Sequence, residues 1–350
     1  MTKIQKHIEI VRSQVPGLSS LSRSSADAIF DVLTDHYETV GITTINNTAD
    51  LRLLVSRQPD LVFMGMKYLP SSVPNHLRTS QKIWISSYLE QHGIAHTGSG
   101  QRAIEFELSK QLAKQRVLDA GIKTARFMVL RHGQPIPMTV LPLKFPLFVK
   151  PASLGGGKGI DDSSVVYNIK DLHEKITSLS ARYSADVLIE EYLPGREFSV
   201  AVLRDEHTDN YHVMPIELVA AHNERGNRIL SQKMKASNQE AVLSVTDTSM
   251  RKAVVSTAKQ VFTALGARDY GRIDIRLDAS GTPHFLEANL IPSLISGYGS
   301  FPKACKLNIN LDYEEMILRI VRLGLARTDE IVEPVTISAF GETLPFASAA

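Results

Sequence analysis

Residues 271–289 read GRIDIRLDASGTPHFLEAN, and their pattern is that of a β-hairpin. Polar and apolar side chains alternate strictly from Arg272 to Asp278, as they do along a strand with two different faces. The pair Ser280-Gly281 suits a two-residue turn. Centred on that pair, the hairpin has a polar face that continues from one strand onto the other.

The predicted pairing brings acidic residues together on this face. It places Asp274 opposite Glu287 and Arg272 opposite Asn289. Two carboxylates directly opposed on a sheet destabilise it unless a positive charge lies between them. Mg²⁺, which prefers oxygen ligands, would supply that charge. In the alternative interpretation the face is merely solvated and its carboxylates pair with Arg272 and Arg276.

A second segment, residues 145–160, reads FPLFVKPASLGGGKGI. An apolar strand carries Lys150 near its end and leads directly into a loop with four glycines between residues 155 and 159. Such a loop lets backbone N–H groups approach phosphate oxygens, and Lys158 adds a positive charge. Taken alone, the segment fits a flexible surface turn equally well.

Two common nucleotide-binding loops are excluded by single positions in this segment. A Walker A motif requires Ser or Thr after its Gly-Lys pair, where this chain has Gly159. It also requires a glycine five residues before that pair, where this chain has Ala152. The dinucleotide fingerprint GxGxxG fails because Ile160 occupies the place of its last glycine. A strand lysine followed by a glycine flap is what remains.

The rest of the chain divides into regions with different patterns of apolar and polar residues. Short apolar runs alternate with helical patterns over the first hundred residues, which predicts a parallel α/β unit. The strands are expected at Ile8–Val11, Leu61–Met66 and Ile94–Thr97, and the helices at Ala26–Leu33 and Ile83–Leu89. A long amphipathic helix is predicted from Ala103 to Ala120, and grouped strands follow it. We therefore expect domains at residues 1–105, 106–192 and 193–350.

Composition limits the class of protein. The 350 residues carry a formal net charge of +2 and are 43% hydrophobic and 22% charged, which is ordinary for a globular enzyme. Basic residues form no block, so no nucleic acid or membrane partner is expected. The single cysteine, Cys305, cannot form an internal disulfide and favours a reducing compartment. Without an apolar leader or a run of about 18 apolar residues, we expect a cytoplasmic protein.

At these motifs the chain resembles the D-alanine–D-alanine ligase family of the ATP-grasp superfamily. The resemblance covers about residues 94–325. It rests on four motifs in order: Thr97-Gly-Ser with the following helix, Lys150 with its glycine flap, EEYLPGREFSV at residues 190–200, and the GRID…LEAN hairpin. It implies a three-domain ATP-grasp fold, which is α/β overall, with α+β character in the ATP-grasp part and a parallel α/β domain at the N-terminus.

The resemblance also implies roles for individual residues. Arg272 would stabilise the oxyanion of the reaction. A phosphate-contacting lysine is expected at Lys233 or Lys235, with Lys235 preferred. Asp274, Glu287 and Asn289 would hold two Mg²⁺ ions. In the ATP site, Lys110 and Lys150 would contact the phosphates, and the flap residues Ser153, Gly156, Gly157 and Lys158 would cover them. The adenine would be bordered by Glu190, Glu191 and Leu193, and the ribose would be bound by Glu197.

Departures from the family concentrate in its amino-acid half. The family's substrate-orienting glutamate has no counterpart in residues 15–25, and Met64–Pro70 replaces its His-Gly…Glu-Asp-Gly loop. Gly156 stands in the place of its flap serine, Ser293 in the place of an oxyanion-binding glycine, and Gly299 in the place of a carboxylate-binding serine. The nucleotide half is intact, so we expect a product other than D-alanyl-D-alanine.

The predicted activity is an ATP-dependent, ADP-forming ligation of a carboxylate to an amine through an acyl phosphate. Small molecules, with amino acids foremost, are the expected substrates, and the family suggests a homodimer. One alternative is a ligase that adds an amino acid to a peptide, a protein or a natural-product scaffold. Another is an ATP-binding regulator without catalysis, which the presence of Arg272, Asp274, Glu287 and Asn289 argues against.

Overall fold

Three β-sheets organise the protein in its computed structural model, which describes residues 2–70, 82–136, 142–231 and 240–327. The N-terminal sheet is parallel, with strand order β2-β1-β3-β6. Its strands are β1 (Ile4–Arg12), β2 (Tyr37–Thr44), β3 (Leu61–Phe63) and β6 (Ala95–His96). A small antiparallel hairpin, β4 (Tyr68–Pro70) and β5 (Lys82–Trp84), lies beside them. The predicted parallel α/β unit is therefore confirmed.

Helices α1 (Arg23–His36), α2 (Thr48–Ser56) and α3 (Ile85–Gln91) connect these strands. Ser22 caps α1 by accepting a hydrogen bond from the Ser25 N–H, and Asn47 opens a capping box at α2. Sequence patterns predicted α1 but not α2 or β2. The predicted helix at Ile83–Leu89 is confirmed from Ile85 onward as α3, and its first two residues belong instead to the short strand β5.

The predicted helix from Ala103 to Ala120 is wrong in one respect, because the chain breaks at Ser109. The structure has two helices there, α4 (Gln101–Leu108) and α5 (Lys110–Asp119). Ser109 is extended, with φ −118° and ψ 95°, and its hydroxyl accepts a hydrogen bond from the Leu112 N–H at 3.3 Å. A serine side chain competes in this way with the helical backbone. The break directs Lys110 away from the axis of α4.

The central sheet is antiparallel and has the order β7-β10-β8-β9. Its strands are β7 (Phe127–Leu130), β8 (Leu147–Pro151), β9 (Val165–Val166) and β10 (Val187–Glu191). Helix α6 (Ile169–Tyr183) covers one face with Leu172, Ile176 and Leu179. The glycine flap lies between β8 and β9, so both of its ends are anchored in this sheet.

The C-terminal sheet has five antiparallel strands in the order β13-β12-β11-β14-β15. They are β11 (Glu197–Arg204), β12 (Tyr211–Val219), β13 (Ala241–Ser244), β14 (Tyr270–Leu277) and β15 (Pro283–Asn289). Helix α7 (Thr248–Ala264) packs against its core through Val254, Val261 and Phe262. Two more helices follow, α8 (Ser300–Ile309) and α9 (Tyr313–Ala326).

The last helix ties the C-terminal part of the chain to the N-terminal sheet. Ile317, Ile320 and Val321 of α9 share one core with Ile8 and other residues of that sheet. Gly324 permits the close approach, since a Cβ there would lie 2.7 Å from the Leu61 side chain. No helix in the described ranges is long and apolar enough to cross a membrane. The division of the chain near residues 105 and 192 stays a prediction.

Candidate active site

A cleft opens between the central and C-terminal sheets. It holds about 790 Å³ of empty space, including the part open to solvent. That size is ordinary for a small-molecule site. The cleft is lined by Lys110, Phe148, Lys150, Pro151, Leu154, Gly157, Lys158, Ile160, Glu190, Glu191, Tyr192, Leu193, Glu197, Ile229, Leu230, Asp274, Arg276, Leu286 and Glu287. Residues from the glycine flap, β10, β11 and the β14–β15 hairpin therefore meet in one place.

The hairpin pairs as predicted at its polar end. Arg272 lies opposite Asn289, and Asp274 lies opposite Glu287. The predicted two-residue turn is wrong, however, because the loop runs from Asp278 to Thr282 and is closed by an Asp278 N–H to Thr282 carbonyl hydrogen bond of 3.0 Å.

A β-bulge at Leu286 compensates for the different turn. Near the turn, Ile275 pairs with Phe285, and the register shifts between Ile275 and Asp274. Leu286 is thus an extra residue on β15, and it turns Glu287 onto the face of Asp274. Consistent with this, the consecutive residues Leu286 and Glu287 both line the cleft. The bulge is what allows two carboxylates to face each other.

Basic side chains neutralise these carboxylates. Arg272 donates to both oxygens of Asp274, at 3.0 Å through Nε and 2.9 Å through Nη2. Ser199 Oγ also donates to Asp274 at 2.9 Å. Lys110 Nζ lies 3.3 Å from Glu287 Oε2. Burial by itself would lower the pKa of Arg272, but Asp274 raises it above its ordinary value. Arg272 is therefore a permanent cation at this site.

The break at Ser109 gives Lys110 its position. The ammonium group donates to the Leu154 carbonyl at 2.8 Å, which is the start of the glycine flap. Its second contact, with Glu287, is on the hairpin. One lysine thus bridges the flap and the acidic face, and it lines the cleft between them. This position suits a group that meets phosphate oxygens.

A buried charge cluster lies at the closed end of the cleft. Glu190 Oε1 is 2.6 Å from Lys150 Nζ, and Glu190 Oε2 is 2.8 Å from Lys114 Nζ. Burial opposes ionisation of Glu190, yet Lys114 and Lys150 hold its pKa at about 2. For Lys150 the attraction of Glu190 outweighs burial and raises the pKa, whereas for the fully enclosed Lys114 burial prevails and lowers it. Glu190 therefore remains an anion that fixes Lys150.

The other predicted ATP-binding residues fall into three groups. Glu191, Leu193, Glu197, Gly157 and Lys158 line the cleft with Lys110, Lys150 and Glu190. Two predicted flap residues, Ser153 and Gly156, are outside that lining, although both belong to the same loop. Lys233 and Lys235 lie outside the described residues.

Sequence reasoning missed three contributors. Lys114 is four residues from Lys110 on α5, but its partner Glu190 is far away in sequence. Arg276 was considered only as a surface counter-ion, yet it is 6% exposed and lines the cleft. The ion pair between Lys67 Nζ and Glu107 Oε1, at 2.5 Å, joins the segment after β3 to α4. Strict alternation along β14 was the one signal that could have identified Arg276 as a cleft residue.

Comparisons with known proteins identify relatives of this chain. Residues 117–322 match the family model described as D-ala D-ala ligase C-terminus. A D-alanine–D-alanine ligase of Hydrogenovibrio crunogenus is 25% identical over 272 residues, covering 77% of this chain and 82% of the relative. One of Methylacidiphilum infernorum is 27% identical over 325 residues, covering 93% of this chain and 97% of the relative.

A similar fold occurs in a solved structure, the D-alanine–D-alanine ligase of Bacillus anthracis complexed with ATP. It matches with a TM-score of 0.70 and 20% sequence identity, over 93% of this chain and 99% of that one. The fold predicted from sequence, an ATP-grasp fold with an N-terminal parallel α/β domain, is thereby confirmed. The matched family region contains the glycine flap, the EEYL strand and the β14–β15 hairpin. The chain therefore belongs to the D-alanine–D-alanine ligase family of the ATP-grasp superfamily and is an ATP-dependent ligase.

Proposed function

We propose that this enzyme joins a small-molecule carboxylate to an amine through an acyl phosphate, with release of ADP and phosphate. One observation carries the proposal. The bulged hairpin presents Asp274 and Glu287 to the same cleft that Lys110, Lys150 and the glycine flap enter. An acidic pair alone suits a cation and a cluster of lysines alone suits an anion. Together they suit a metal–triphosphate complex.

Within this proposal, ATP lies along the cleft from β10 to the hairpin. Glu190, Glu191 and Leu193 at the end of β10 border the adenine, and Glu197 at the start of β11 binds the ribose hydroxyls. Lys110 and Lys150 contact the phosphates, and residues 153–159 close over them. Lys235 is the further phosphate-contacting lysine that the resemblance to the family implies. Support comes from the lining of the cleft, which includes Lys110, Lys150, Glu190, Glu191, Leu193 and Glu197.

The donor set of the hairpin fits magnesium. Asp274 and Glu287 offer carboxylate oxygens, and the Asn289 amide lies beside them, with its nitrogen 3.4 Å from Asp274 Oδ2. In the described ranges no group of three or more His, Cys, Asp or Glu side chains is placed to hold a metal ion. Two Mg²⁺ ions held on the hairpin would neutralise charge on the phosphate oxygens. On metal binding, Arg272 would release Asp274 and Lys110 would release Glu287, so that both carboxylates could bind the ions.

Each residue then has a task in the reaction. The substrate carboxylate attacks the γ-phosphorus of ATP, the bond to the bridging oxygen breaks, and ADP leaves with the electron pair. Lys110 and Lys150 position the phosphates, and the closed flap excludes water that would hydrolyse the acyl phosphate. The amine next attacks the acyl carbon and loses a proton, and phosphate departs. Arg272, a permanent cation, stabilises the oxyanion that forms in this second step.

The amino-acid half supports a finer proposal, a product other than D-alanyl-D-alanine. The segment from Ser13 to Ser22 contains no acidic residue to orient a substrate ammonium. A serine at Gly299 would place its Cβ 2.8 Å from the backbone carbonyl oxygen of Ser293, so this backbone leaves no room for the family's carboxylate-binding serine. The comparisons give this finer proposal no support, because the relatives with a named activity are D-alanine–D-alanine ligases.

ADP release tests the function. The purified chain is incubated with ATP and Mg²⁺ and with pooled amino acids, single amino acids or short peptides, and the products are identified by mass spectrometry. We expect ADP only when both a carboxylate and an amine are present, in equal amount with a product joined by loss of water. D-Alanine alone, as both substrates, tests the finer proposal directly. ATP binding without ADP release for any acceptor would instead indicate a non-catalytic regulator. Membership in a ligase family argues against that outcome.

A further inference from the structure

Arg276 occupies an unusual place for a buried cation. It lies on β14 two residues after Asp274, so its side chain is on the same face as the proposed metal ligand. The residue is 6% exposed and lines the cleft at the end where Glu197 and Tyr192 also stand. The mechanism proposed above gives it no task. A buried guanidinium nevertheless carries a desolvation cost that needs several partners to offset it.

Three separate segments supply those partners. Arg276 Nη1 donates to Glu197 Oε2 at 3.0 Å. Nη2 donates to the Arg228 carbonyl at 2.9 Å and to the Tyr192 hydroxyl at 3.2 Å, and the guanidinium carbon lies 5.2 Å from the centre of the Tyr192 ring. Nε is buried and has no hydrogen-bond partner within the described ranges. The planar fork is therefore fixed in orientation, and one arm holds a carboxylate.

The carboxylate that it holds is the one assigned to the ribose. Glu197 is the first residue of β11, and a glutamate side chain at a strand end has three rotatable bonds. Pairing with a fixed guanidinium limits those rotations. It also neutralises Glu197, which would otherwise repel the triphosphate in a cleft that already contains Glu190, Asp274 and Glu287.

We infer that Arg276 is a positioning residue for Glu197 and thereby sets the preference of the cleft for a ribonucleotide over a deoxyribonucleotide. The inference rests on the proposed ATP site. Two hydrogen bonds from ribose hydroxyls to a carboxylate require its oxygens in one orientation, and the guanidinium fixes that orientation. Arg276 itself contacts Glu197 rather than the sugar.

The test is Arg276→Met in the full chain, with binding of ATP, 2′-deoxyATP and 3′-deoxyATP measured by calorimetry. For the unmodified enzyme we expect each deoxynucleotide to bind about tenfold more weakly than ATP, the usual size of one lost hydrogen bond to a charged group. Arg276→Met should bring the three dissociation constants to within about twofold of each other. Its KM for ATP should rise about tenfold while kcat stays within about threefold, because the reacting groups are untouched.

Arg196→Met is the matched control. Arg196 makes a bidentate pair with Glu217, at 2.8 and 2.6 Å, and precedes Glu197 in the chain, but it is not part of the cleft lining. This variant should keep the full preference for ATP. Arg276→Lys, which retains the charge and the volume, should restore part of the preference and serves if the methionine variant does not fold.

Two results would overturn the inference. One is an Arg276→Met enzyme that still prefers ATP to the deoxynucleotides as strongly as the unmodified enzyme does. The other is an equal loss of preference in Arg196→Met, which would indicate general loosening of the sheet. Both leave the proposed ligase reaction standing as long as the unmodified enzyme releases ADP. Failure of that release in the unmodified enzyme would instead refute the proposed function.

Discussion

The nucleotide cleft and the carboxyl edge of the N-terminal sheet are built in opposite ways. In the cleft, opposite charges are already paired: Lys150 and Lys114 with Glu190, Lys110 with Glu287, Arg272 with Asp274, and Arg276 with Glu197. At the sheet edge, uncharged hydrogen bonds of backbone groups and small polar side chains join the segments that follow the strands. Ser20 N–H donates to the Gly65 carbonyl at 2.7 Å, and a Cβ at Gly65 would lie 2.1 Å from the Val11 carbonyl oxygen.

The difference separates two kinds of specificity. Paired charges on strands give a site that is organised before ligand arrives and that suits a polyanion with its metal. A loop edge held by backbone contacts can change its side chains without disturbing the cleft. The sequence predicts that the family pattern is largely kept in the first region and altered in the second. Variants should therefore divide into those that change ATP parameters and those that change only the substrate.

The largest effect is expected from Arg272→Ala. Removing one oxyanion donor typically costs about 2.7–4 kcal/mol of transition-state stabilisation, so kcat should fall by roughly two to three orders of magnitude. The dissociation constant for ATP should change by less than about threefold, because Arg272 is assigned to the second chemical step. Single-turnover product formation and calorimetry measure the two quantities.

Arg204→Ala is the control for this experiment, since Arg204 also pairs with an aspartate, Asp209, at 2.8 Å but lies outside the cleft lining. Its turnover should equal that of the unmodified enzyme. An Arg272→Ala enzyme that retains full turnover would remove the residue from the reaction.

Glu190→Gln should produce the largest loss of stability. The change leaves Lys114 and Lys150 buried together without their shared anion, and breaking a buried pair typically costs about 3–5 kcal/mol. Because the folded pKa of Glu190 is lowered from 4.5 to about 2, its contribution is fully present above about pH 4.5 and is lost as the pH falls toward 2. Unfolding in urea, followed by circular dichroism at several pH values, measures both effects.

The pH dependence of stability below pH 4.5 distinguishes loss of the Glu190 charge from a packing defect. The stability difference between the two proteins should shrink steadily from pH 4.5 to pH 2. Glu174→Gln, at a site 67% exposed and 4.0 Å from Lys170, should match the unmodified protein at every pH. A difference that stayed constant with pH would contradict the assigned role of the Glu190 charge.

Glu287→Gln should change the requirement for magnesium. Loss of one hard ligand should raise the half-saturating Mg²⁺ concentration for ADP release by about tenfold to a hundredfold, at least as much as loss of a supporting contact does. Nucleotide binding in the presence of EDTA should stay nearly unchanged. Asp209→Asn, at a fully exposed position, is the charge-matched control. An unaltered magnesium titration would exclude the acidic face as the metal site.

The hairpin also shows what sequence can and cannot provide. Alternation from Arg272 to Asp278 correctly predicted which side chains share a face, because that period is a local property of a strand. It could not reveal the bulge at Leu286, since an extra residue leaves the alternation within β14 untouched. The predicted pairing of Asp274 with Glu287 held only because the longer turn and the bulge compensate.

Other features depend on contacts between distant segments. The position of the Lys110 ammonium group depends on the flap and the hairpin, both of which it contacts. The ion pair between Lys114 and Glu190 joins residues that are 76 positions apart in the chain, and no local motif encodes such a contact. Motifs therefore predicted many of the residues that line the cleft, while the ion pairs between those residues emerged only from the fold.

Lys67→Met is expected to have the smallest effect on activity. It also tests most directly whether the nucleotide cleft and the sheet edge act separately. The Lys67 ammonium is held 2.5 Å from Glu107, whose side chain is 4% exposed, on the same face of α4 as Ala103 and Ile104. A cation in that position suits a carboxylate-bearing substrate, and one charge-assisted contact is worth about tenfold in KM. ATP binding should stay within about twofold.

Lys6→Met, which breaks a similar but partly exposed pair with Asp60 in the same sheet, should leave both quantities unchanged. If Lys67→Met weakens ATP binding as strongly as it weakens the substrate, the pair belongs to the nucleotide half. The boundary between an intact and an altered region would then have to be drawn through the N-terminal sheet itself. Equal KM values for Lys67→Met and the unmodified enzyme would instead leave Glu107 with a purely structural task.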